Sequence, residues 1–294
     1  MSDYDFQLPS LDFLPFARGH AAASARERRI RSAPQLDTAG AVESFRPPRI
    51  LQGRWIVGKR LGCGGYGYVY DALDMGGAEH GVAIKFPKNP AVAGRLRREA
   101  SLMRQLADCP YIARVLHYHP GPDLPFLVLW RGGENVSRLA RSYPGGRVPA
   151  RQVATLGLDM LAGIAALHEI GYVHCDVKCA NFVRHLLPTG CPRCFLVDFG
   201  LAHRLTSPGS PDAAAGQAHF RGTDRYASPW VHQGRRAEPR DDLWSLFYSL
   251  VRLTAGSLPW DFTGDRGRIG EIKLSFTRNR RWSVLPQYSM KPFA

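Results

Sequence analysis

The run His174–Asn181, followed by Asp198–Gly200, is the feature of this sequence that most restricts its fold and chemistry. It places a carboxylate at Asp176, an ammonium two residues later and a carboxamide five residues later. Another carboxylate, Asp198, follows after a gap long enough for a short hairpin. Phosphoryl transfer requires a carboxylate that accepts a hydroxyl proton, a lysine that neutralises phosphate, and an Asn and an Asp that hold a metal ion. The run therefore predicts a phosphoryl-transfer site.

A glycine-rich run, Gly62–Val69, has the pattern G-x-G-x-x-G-x-V. Similar glycines occur in dinucleotide-binding folds, where they lead from a strand into a helix. Here aromatic and β-branched residues alternate over Tyr68–Ala72, as in a strand. A glycine-rich hairpin lets backbone amides approach phosphates. The run therefore predicts a nucleotide-phosphate loop, and glycines that serve only a turn are the alternative.

The predicted strand Gly81–Phe86 contains one basic residue, Lys85, in the pattern V-A-I-K. In that pattern the lysine binds nucleotide phosphates and a glutamate of the next helix. The helix predicted at 93–106 offers Glu99, the only acidic residue between Lys85 and Asp108. We therefore predict a Lys85–Glu99 ion pair, with a lysine that merely reaches solvent as the alternative.

Two strands, at 111–119 and 124–130, complete the predicted small sheet, and Trp130–Gly133 leads into a helical region. A broad apolar surface along 149–168 predicts a buried helix. Asp241–Leu250 predicts a second buried helix whose first-turn carboxylates suit the helix dipole. A last helix is predicted at 267–276.

The 294-residue chain carries a formal net charge of 39 − 25 = +14. Such a charge favours anionic partners, such as acidic or phosphorylated protein segments; a bias towards arginine alone is the alternative. The sequence contains no compact Lys/Arg block with interleaved aromatics, so specific nucleic-acid binding is not predicted. No apolar run approaches the roughly 18 residues of a membrane span, and the N-terminus lacks a secretory pattern. A monomer in the cytoplasm, or in the nucleus, is expected.

Residues 1–52 keep no helical or strand period and predict a disordered basic tail. A docking segment built on Phe13 and Phe16 is the alternative for this region. Cys191 and Cys194 supply two thiols, whereas structural zinc requires four ligands. Zinc or redox chemistry at this pair is therefore kept only as an alternative, and the six scattered cysteines do not predict a disulfide framework.

These motifs, in this order, resemble the eukaryotic protein kinase fold over about residues 54–285. The catalytic run reads H-C-D-V-x-x-x-N and D-F-G, against the kinase pattern H-R-D-L-x-x-x-N and D-F-G. Segments that resemble the casein kinase 1 superfamily are Gly222–Ser228, Asp241–Tyr248 and Gly256–Trp260. Phe220–Thr223, the Cys191/Cys194 pair and Asn135 are most similar to its tau-tubulin kinase branch.

This resemblance implies an α+β, bilobal protein kinase fold with a small antiparallel-sheet N-lobe and a mainly helical C-lobe. The domain is expected at 53–285, with the N-lobe at 53–131, the C-lobe at 132–285 and a tail at 286–294. The resemblance also implies a Ser/Thr kinase that uses ATP and Mg²⁺. Its protein substrates are expected to be acidic or already phosphorylated.

The resemblance further assigns a role to each matching residue. The nucleotide is expected to contact Gly62, Gly64, Gly65, Gly67, Val69, Ala83, Lys85, Leu129, Trp130 and Gly132. Asp176 is expected to orient the substrate hydroxyl and accept its proton, together with Lys178, Lys85, Glu99 and Thr223 in catalysis. Asn181 and Asp198 are expected to hold magnesium, and Arg225 to contribute to a substrate-anion pocket. His174, Phe199 and Met103 are expected in the spine that aligns the lobes, and Asp242 is expected to support the catalytic loop.

Three departures from the kinase pattern carry expectations of their own. Cys175 replaces an arginine that in many kinases binds a phosphorylated activation loop. A phosphate there loses its charge-assisted partner, so activity independent of activation-loop phosphorylation is expected. Cys179 replaces a usual proline, which removes rigidity but no reacting group. The 294 − 242 = 52 residues after Asp242 hold one further helix, so a C-lobe without its usual last helices, with exposed apolar surface, is expected.

Two other functions fit parts of the same pattern. A non-catalytic kinase-like scaffold would bind nucleotide or acidic partners through the basic surface, but the complete set of reacting residues argues against it. A kinase-fold enzyme for a small molecule is disfavoured by Gly222–Tyr226, which suits a peptide. The sequence therefore predicts a Ser/Thr protein kinase, with the scaffold as the alternative.

Overall fold

The computed structural model describes residues 45–65, 67–77, 81–89, 93–186, 190, 192–205 and 220–279, which belong to one compact unit. A sheet-rich N-lobe is followed by a mainly helical C-lobe, which confirms the predicted α+β, bilobal fold. The predictions for residues 1–44, Cys191 and the tail at 286–294 lie outside the described residues.

The N-lobe is built on one antiparallel sheet. Its strands are β1 (Ile50–Leu51), β2 (Trp55–Cys63), β3 (Gly67–Asp74), β4 (Gly81–Pro87), β5 (Val115–His119) and β6 (Phe126–Trp130). They lie in the order β1-β2-β3-β4-β6-β5. The strand that carries Lys85, β4, is therefore flanked by the glycine-rich hairpin on one side and by the hinge strand β6 on the other.

The glycine-rich run forms the tip of the hairpin between β2 and β3. Gly62 pairs with Val69, and Cys63 pairs with Tyr68. The Gly64 amide donates to the Gly67 carbonyl oxygen at 2.9 Å. Because the chain continues as a strand after the last glycine, the strand-to-helix turn of a dinucleotide-binding fold is excluded.

Helix α1 (Ala93–Gln105) buries Leu96, Glu99 and Met103, which recur at helical spacing on one face. Strand β5 begins at Val115, later than the predicted start at Tyr111. The residues before it pair with the C-lobe instead: Leu196 N–H donates to Tyr111 O at 2.8 Å, and Ala113 N–H donates to Leu196 O at 3.0 Å. These residues therefore connect the two lobes.

The C-lobe contains helices α2 (Val136–Arg141), α3 (Ala150–Glu169), α4 (Pro229–His232), α5 (Pro239–Ala255) and α6 (Arg266–Asn279). Helix α5 starts at a capping box formed by Glu238 and Asp241 and ends at Gly256, whose φ of 81° is left-handed. Gly157 of α3 lies against Leu250 of α5, so the two long helices approach closely.

Among the described residues, α3 is the one helix whose length and apolar composition would allow a membrane span. One face of it, with Met160, Ile164 and Leu167, is fully buried in the core, as in a core helix. Its Leu158 and the α5 residue Phe247 remain 70% and 39% exposed. Single exposed apolar side chains of this kind are ordinary on a folded domain, so the exposed apolar surface expected on the C-lobe stays a prediction. The expectation about missing last helices concerns residues beyond Asn279, outside the described part.

A two-stranded antiparallel pair and a short hairpin bring the catalytic motifs together. Strand β7 (Tyr172–Val173) pairs with β10 (His203–Arg204), and β8 (Phe182–Leu186) pairs with β9 (Pro192–Leu196). The run His174–Asn181 lies between β7 and β8, and Asp198–Gly200 lies between β9 and β10. The two motif-bearing loops are therefore neighbours.

Candidate active site

Lys85 binds two carboxylates where the lobes meet. Its Nζ donates to both carboxylate oxygens of Glu99 and to Oδ1 of Asp198, each at 2.7 Å. Strand β4 supplies the lysine, α1 the glutamate and the loop after β9 the aspartate. The structure thus contains the expected ion pair and joins it to the D-F-G motif.

These three groups hold opposite charges side by side. Burial by itself would lower the pKa of Lys85, but the charges of Asp198 and Glu99 outweigh it, and the pKa of Lys85 is raised. Burial would raise the pKa of Asp198, but Lys85 outweighs it and lowers this pKa to about 2. At neutral pH the site therefore offers an ammonium for phosphate and an ionised carboxylate for a divalent cation.

Phe199 and His174, two of the expected spine residues, are in contact. Their ring centroids lie 5.2 Å apart in an edge-to-face arrangement. The Phe199 amide donates to Glu99 Oε1 at 3.1 Å, which ties the D-F-G motif to α1. Met103 of α1 is buried in the same core cluster as Phe199. The structure therefore places all three residues inside the domain, between α1 and the catalytic loop.

Asp176, Lys178 and Thr223 are joined by a closed set of three hydrogen bonds. Lys178 Nζ donates to Asp176 Oδ2 at 2.6 Å and to Thr223 Oγ1 at 2.9 Å. The Thr223 hydroxyl donates to Asp176 Oδ1 at 2.7 Å. Both oxygens of the carboxylate are thus fixed in direction next to an ammonium. This arrangement suits a group that receives a proton where negative charge develops.

Asn181 closes the catalytic loop onto Asp176. It lies in the 3₁₀ turn Cys179–Asn181, and its Nδ2 donates to the Asp176 carbonyl oxygen at 2.9 Å. Because the amide nitrogen is used in this way, the amide oxygen is the atom that Asn181 can offer to a cation. Oxygen donors from Asn181 and Asp198 match the preference of Mg²⁺ for few protein ligands beside substrate phosphates.

The alternative of zinc or redox chemistry receives no support from the described thiols. The Cys179 thiol donates to Ser249 O at 3.7 Å, and the Cys194 thiol donates to Leu156 O at 3.8 Å. Burial raises the pKa of Cys179 to about 12 and also raises that of Cys194, so both remain protonated thiols. Within the described ranges, no group of three or more His, Cys, Asp or Glu residues could hold a metal ion.

Asp242, at the start of α5, holds the backbone of the catalytic loop. Its Oδ2 accepts from the His174 amide at 2.8 Å, and its Oδ1 accepts from the Cys175 amide at 2.9 Å. Nε2 of His168 lies 2.9 Å from the same Oδ2. Cys175 has a φ of 68°, a left-handed conformation uncommon outside glycine. The two amide bonds hold this strained turn in place.

The residues expected around an adenine share one face of the sheet. Val69 pairs with Lys85 across β3 and β4, and Ala83 pairs with Leu129 across β4 and β6. Directly paired residues point to the same face, as do residues two apart on one strand. Val69, Ala83 and Leu129 therefore line the face that carries the Lys85 ammonium.

The hinge after β6 packs closely on the β8–β9 hairpin. The Trp130 ring lies 5.0 Å from the Phe195 ring, centroid to centroid. At Gly132 an added Cβ would come within 2.6 Å of Val183 Cγ1 and 2.7 Å of Phe195 Cζ. Gly132 is therefore required by packing, in addition to any contact of its backbone with a nucleotide.

The four glycines expected over the phosphates differ in their surroundings. A Cβ added at Gly62, Gly64 or Gly65 would meet nothing within 4 Å. A Cβ added at Gly67 would overlap the carbonyl oxygen of Phe86. Gly67 is therefore needed by the β3–β4 pairing, whereas the other three leave the approach to the backbone open. The Cys63 thiol, beside Gly62, is exposed.

Arg225, expected in a substrate-anion pocket, already has an acidic partner. Its Nε lies 2.6 Å from Asp261 Oδ1, and its side chain is 44% exposed. Asp261 also forms an ion pair with Arg252. An anion that binds Arg225 would therefore share its guanidinium with Asp261.

Three contacts of the site were not foreseen from the sequence. The Cys175 Sγ lies 3.1 Å from His203 Nδ1, and no sequence pattern indicated this pair. The Ser228 hydroxyl donates to Asp241 Oδ1 at 2.5 Å while it caps α4; a serine before a proline is a helix-start signal that could have revealed the cap. The third contact joins Lys273 of α6 to the carbonyl oxygens of Asp224 and Ala227.

Comparison with known proteins agrees with this geometry. Residues 55–288 match the protein kinase domain family. A "Probable serine/threonine-protein kinase" of Dictyostelium discoideum is 35% identical over 247 residues, which are 83% of this chain and 50% of that protein. A "Casein kinase 1-like protein" of Oryza sativa subsp. japonica is 33% identical over 242 residues, 74% of this chain and 33% of that protein. The "Nucleosomal histone kinase 1" of Drosophila melanogaster is 29% identical over 230 residues, 72% of this chain and 37% of that protein.

A bilobal fold with these two sets of polar side chains is that of a protein kinase domain. The chain belongs to the protein kinase family, and its relatives group it with the casein kinase 1-related Ser/Thr kinases. It spans about half the length of the Dictyostelium relative. Its similarity to the tau-tubulin kinase branch stays a prediction.

Proposed function

We propose that the chain is an ATP- and Mg²⁺-dependent protein kinase that phosphorylates Ser and Thr hydroxyls of proteins. The observation that carries this proposal is the pair of hydrogen bonds that join Thr223 Oγ1 to Asp176 and to Lys178. It joins the segment expected to dock a peptide to the group expected to receive the hydroxyl proton. The nucleotide half of the site, Lys85 with Glu99 and Asp198, is assembled in the same structure.

The residues present fit a nucleotide and a magnesium ion. The face of the sheet with Val69, Ala83 and Leu129 suits an adenine, and the open glycines of the hairpin suit phosphates. Lys85 would bind phosphate oxygens, and the oxygens of Asn181 and Asp198 would bind the metal. Magnesium ATP, when bound, supplies the phosphoryl group and neutralises part of its charge.

The catalytic loop would act on the substrate hydroxyl. Asp176 would orient this hydroxyl and receive its proton as the hydroxyl oxygen bonds to the γ-phosphorus of ATP and the bond from that phosphorus to the leaving ADP breaks. The Lys178 ammonium stabilises the negative charge of the phosphoryl group during transfer. Thr223 holds Asp176 and Lys178 at a fixed separation, and Asn181 holds the Asp176 backbone.

We further propose that acidic or phosphorylated segments are preferred as substrates. The net charge of +14 supports such a preference through long-range attraction. Exposed arginines also lie before, within and after the segment 222–226 along the chain: Arg204, Arg221, Arg225, Arg235 and Arg236. Arg221 precedes Gly222 and Thr223 directly, and under this proposal it would meet groups next to the substrate hydroxyl.

Phosphoryl transfer is tested with labelled ATP, Mg²⁺ and casein or an acidic phosphopeptide. Asp198→Asn and Asp176→Asn are compared with the wild type and with Asp123→Asn, a change at an exposed carboxylate. We expect a loss of roughly a hundredfold or more for the two site variants and none for Asp123→Asn. Nucleotide binding by a folded wild type without any transfer would favour the scaffold instead.

Substrate preference is tested with peptides that differ only near the acceptor serine. The flanking residues would be aspartate, phosphoserine, alanine or lysine, each measured at two salt concentrations. We expect the highest kcat/KM for phosphoserine, the lowest for lysine, and a smaller spread at high salt. Arg225→Ala is expected to reduce the preference, whereas Arg97→Ala, at an exposed position of α1, is not. Equal rates on all four peptides would contradict the preference.

A further inference from the structure

Lys273 of α6 is a completely buried lysine, with 0% of its surface exposed. Its Nζ donates to the carbonyl oxygen of Asp224 at 2.8 Å and to that of Ala227 at 2.7 Å. Nε2 of His232 lies 3.3 Å from the same nitrogen. One ammonium therefore binds both ends of the turn that follows Thr223.

Two aromatic rings complete the surroundings of this ammonium. Nζ lies 4.8 Å from the ring centroid of Trp260 and 5.0 Å from that of Tyr248. Cation–π contacts of this length are attractive, most strongly in a desolvated site. Burial lowers the pKa of Lys273 to about 7, while Asp224 acts in the opposite direction. Carbonyl dipoles and ring faces thus hold a cation whose burial is costly.

The turn 224–227, to which Lys273 donates, is held by side chains from the C-terminal part of the domain. Trp260 Nε1 donates to the Arg225 carbonyl oxygen at 2.8 Å. Three of the four carbonyl groups over 224–227 therefore accept from Lys273 or Trp260. Within the turn, the amides of Tyr226 and Ala227 both donate to the Thr223 carbonyl oxygen, at 2.9 and 3.0 Å.

Thr223 is thus fixed from two sides. Its backbone oxygen anchors the turn that α6 holds, and its hydroxyl binds Asp176 and Lys178. We propose that Lys273 is a positioning residue, which fixes the segment Thr223–Ser228 to α6 and thereby keeps Thr223 against Asp176. The kinetic part of this proposal rests on the proposed kinase function, whereas the structural part does not.

The main test compares Lys273→Met, Lys273→Arg and Lys59→Met. Methionine keeps much of the volume but removes the donors, arginine keeps a charge with donors, and Lys59 is exposed on β2. Backbone amide hydrogen exchange is measured for peptides covering 220–232 and for peptides of the N-lobe sheet. For Lys273→Met we expect about tenfold faster exchange over 220–232 and unchanged exchange in the sheet.

Kinetics give the second readout. Lys273→Met is expected to raise KM for a peptide substrate by about tenfold and to lower kcat, while KM for ATP stays within about twofold. Lys273→Arg is expected to recover part of both effects, and Lys59→Met to behave as the wild type. Faster local exchange in a chain that shows no transfer at all would support the positioning role while contradicting the kinase function.

If the Lys273→Met chain does not fold, a measurement on the wild type still tests the proposal. Hydrogen exchange at increasing denaturant gives the free energy at which each segment opens. If Lys273 holds the segment 223–228 to α6, this segment and the part of α6 around Lys273 are expected to open at the same free energy. Opening of 223–228 well before α6 overturns the proposal, and so does a Lys273→Met chain with wild-type exchange over 220–232.

Discussion

The Sγ atom of Cys175 lies 3.1 Å from Nδ1 of His203, at the place where the usual catalytic-loop pattern has an arginine. Burial raises the pKa of Cys175, with Asp242 acting in the same direction, and burial lowers the pKa of His203. A neutral thiol therefore faces a neutral imidazole, and the pair supplies no positive charge. The arginine is replaced by a contact between two elements of the C-lobe, the catalytic loop and β10.

This pair predicts activity without activation-loop phosphorylation. Thr206, Ser207 and Ser210 changed together to alanine should leave the rate within about twofold, because a phosphate there would lack the charge-assisted partner that Arg provides. The rate is measured for the wild type before and after phosphatase treatment and for the triple variant. A large activation that phosphatase reverses and the triple variant lacks would contradict the prediction.

The Thr223 hydroxyl should matter through geometry. Thr223→Val removes the two hydrogen bonds to Asp176 and Lys178 and should lower kcat by roughly tenfold to a hundredfold, since hydrogen bonds to charged groups contribute about 1.5–3 kcal/mol. Thr223→Ser keeps the hydroxyl and should lose less than about threefold. The measurement is kcat for a peptide at saturating ATP. Normal activity in Thr223→Val together with a large loss in Thr223→Ser would show that the methyl group, and not the hydroxyl, is required.

Asp242→Asn should destabilise the domain. The carboxylate is 1% exposed and accepts from the amides of His174 and Cys175. An asparagine NH₂ would face one of these donors, so we expect a loss of about 1–3 kcal/mol in the free energy of unfolding. Denaturant unfolding of this variant is compared with that of Asp123→Asn, which should match the wild type. Unchanged stability with normal activity would contradict the role of Asp242.

Substitution of Gly64 should affect nucleotide binding, whereas substitution of Gly67 should affect stability. Gly67→Ala places a methyl group onto the Phe86 carbonyl oxygen and should lower the free energy of unfolding by about 1–3 kcal/mol. Gly64→Ala meets no neighbour within 4 Å, so stability should change little while affinity for ATP falls. Thermal unfolding and nucleotide titration are measured for both variants. Similar stability losses in the two would refute this division of roles.

His232 should make stability depend on pH. Burial, and next the charge of Lys273, lower the pKa of His232 from 6.5 to about 4. Below pH 6.5 the unfolded chain binds a proton that the folded chain does not, so the contribution is complete above 6.5 and is lost as the pH falls to about 4. At about 1.4 kcal/mol for each pH unit, the loss approaches about 3 kcal/mol. Unfolding of the wild type is compared with that of His232→Gln, for which this part of the pH dependence should vanish.

The partner of Lys85 could be predicted from the sequence, whereas the partners of Lys273 could not. Lys85 ends a strand in a known pattern and has one acid, Glu99, within reach along the chain, so its partner was predictable. Lys273 shares its helix with Arg266, Arg268 and Arg278, and no sequence pattern marks one of these four basic residues as buried. Its acceptors are backbone carbonyl oxygens on a distant segment, and every residue has such an oxygen. Burial of this lysine depends on packing that no local pattern encodes.

The same limit applies to the strand predicted at 111–119. Its apolar pattern is that of a strand, but Tyr111 and Ala113 exchange hydrogen bonds with Leu196 of the C-lobe. The partner lies more than eighty residues along the chain, so the break between sheet and connection was not visible locally. Gly67 shows a related limit, because its motif indicated phosphate contact while its Phe86 neighbour requires glycine for the sheet itself.

The exposed thiol of Cys63 has a consequence for inhibitors of this kinase domain. In the part of the chain that the structure describes, Cys63 is the one cysteine classed as exposed, and it lies in the glycine-rich hairpin expected to cover nucleotide phosphates. Cys63 pairs with Tyr68, which is next to Val69, so its thiol lies on the face of the hairpin opposite to the Ala83–Leu129 face. A mild electrophile would therefore reach Cys63 from the outer face of the sheet. The buried thiols of Cys179 and Cys194 would be spared. Selectivity against kinases with another residue at this position would then come from a permanent bond instead of tighter reversible binding.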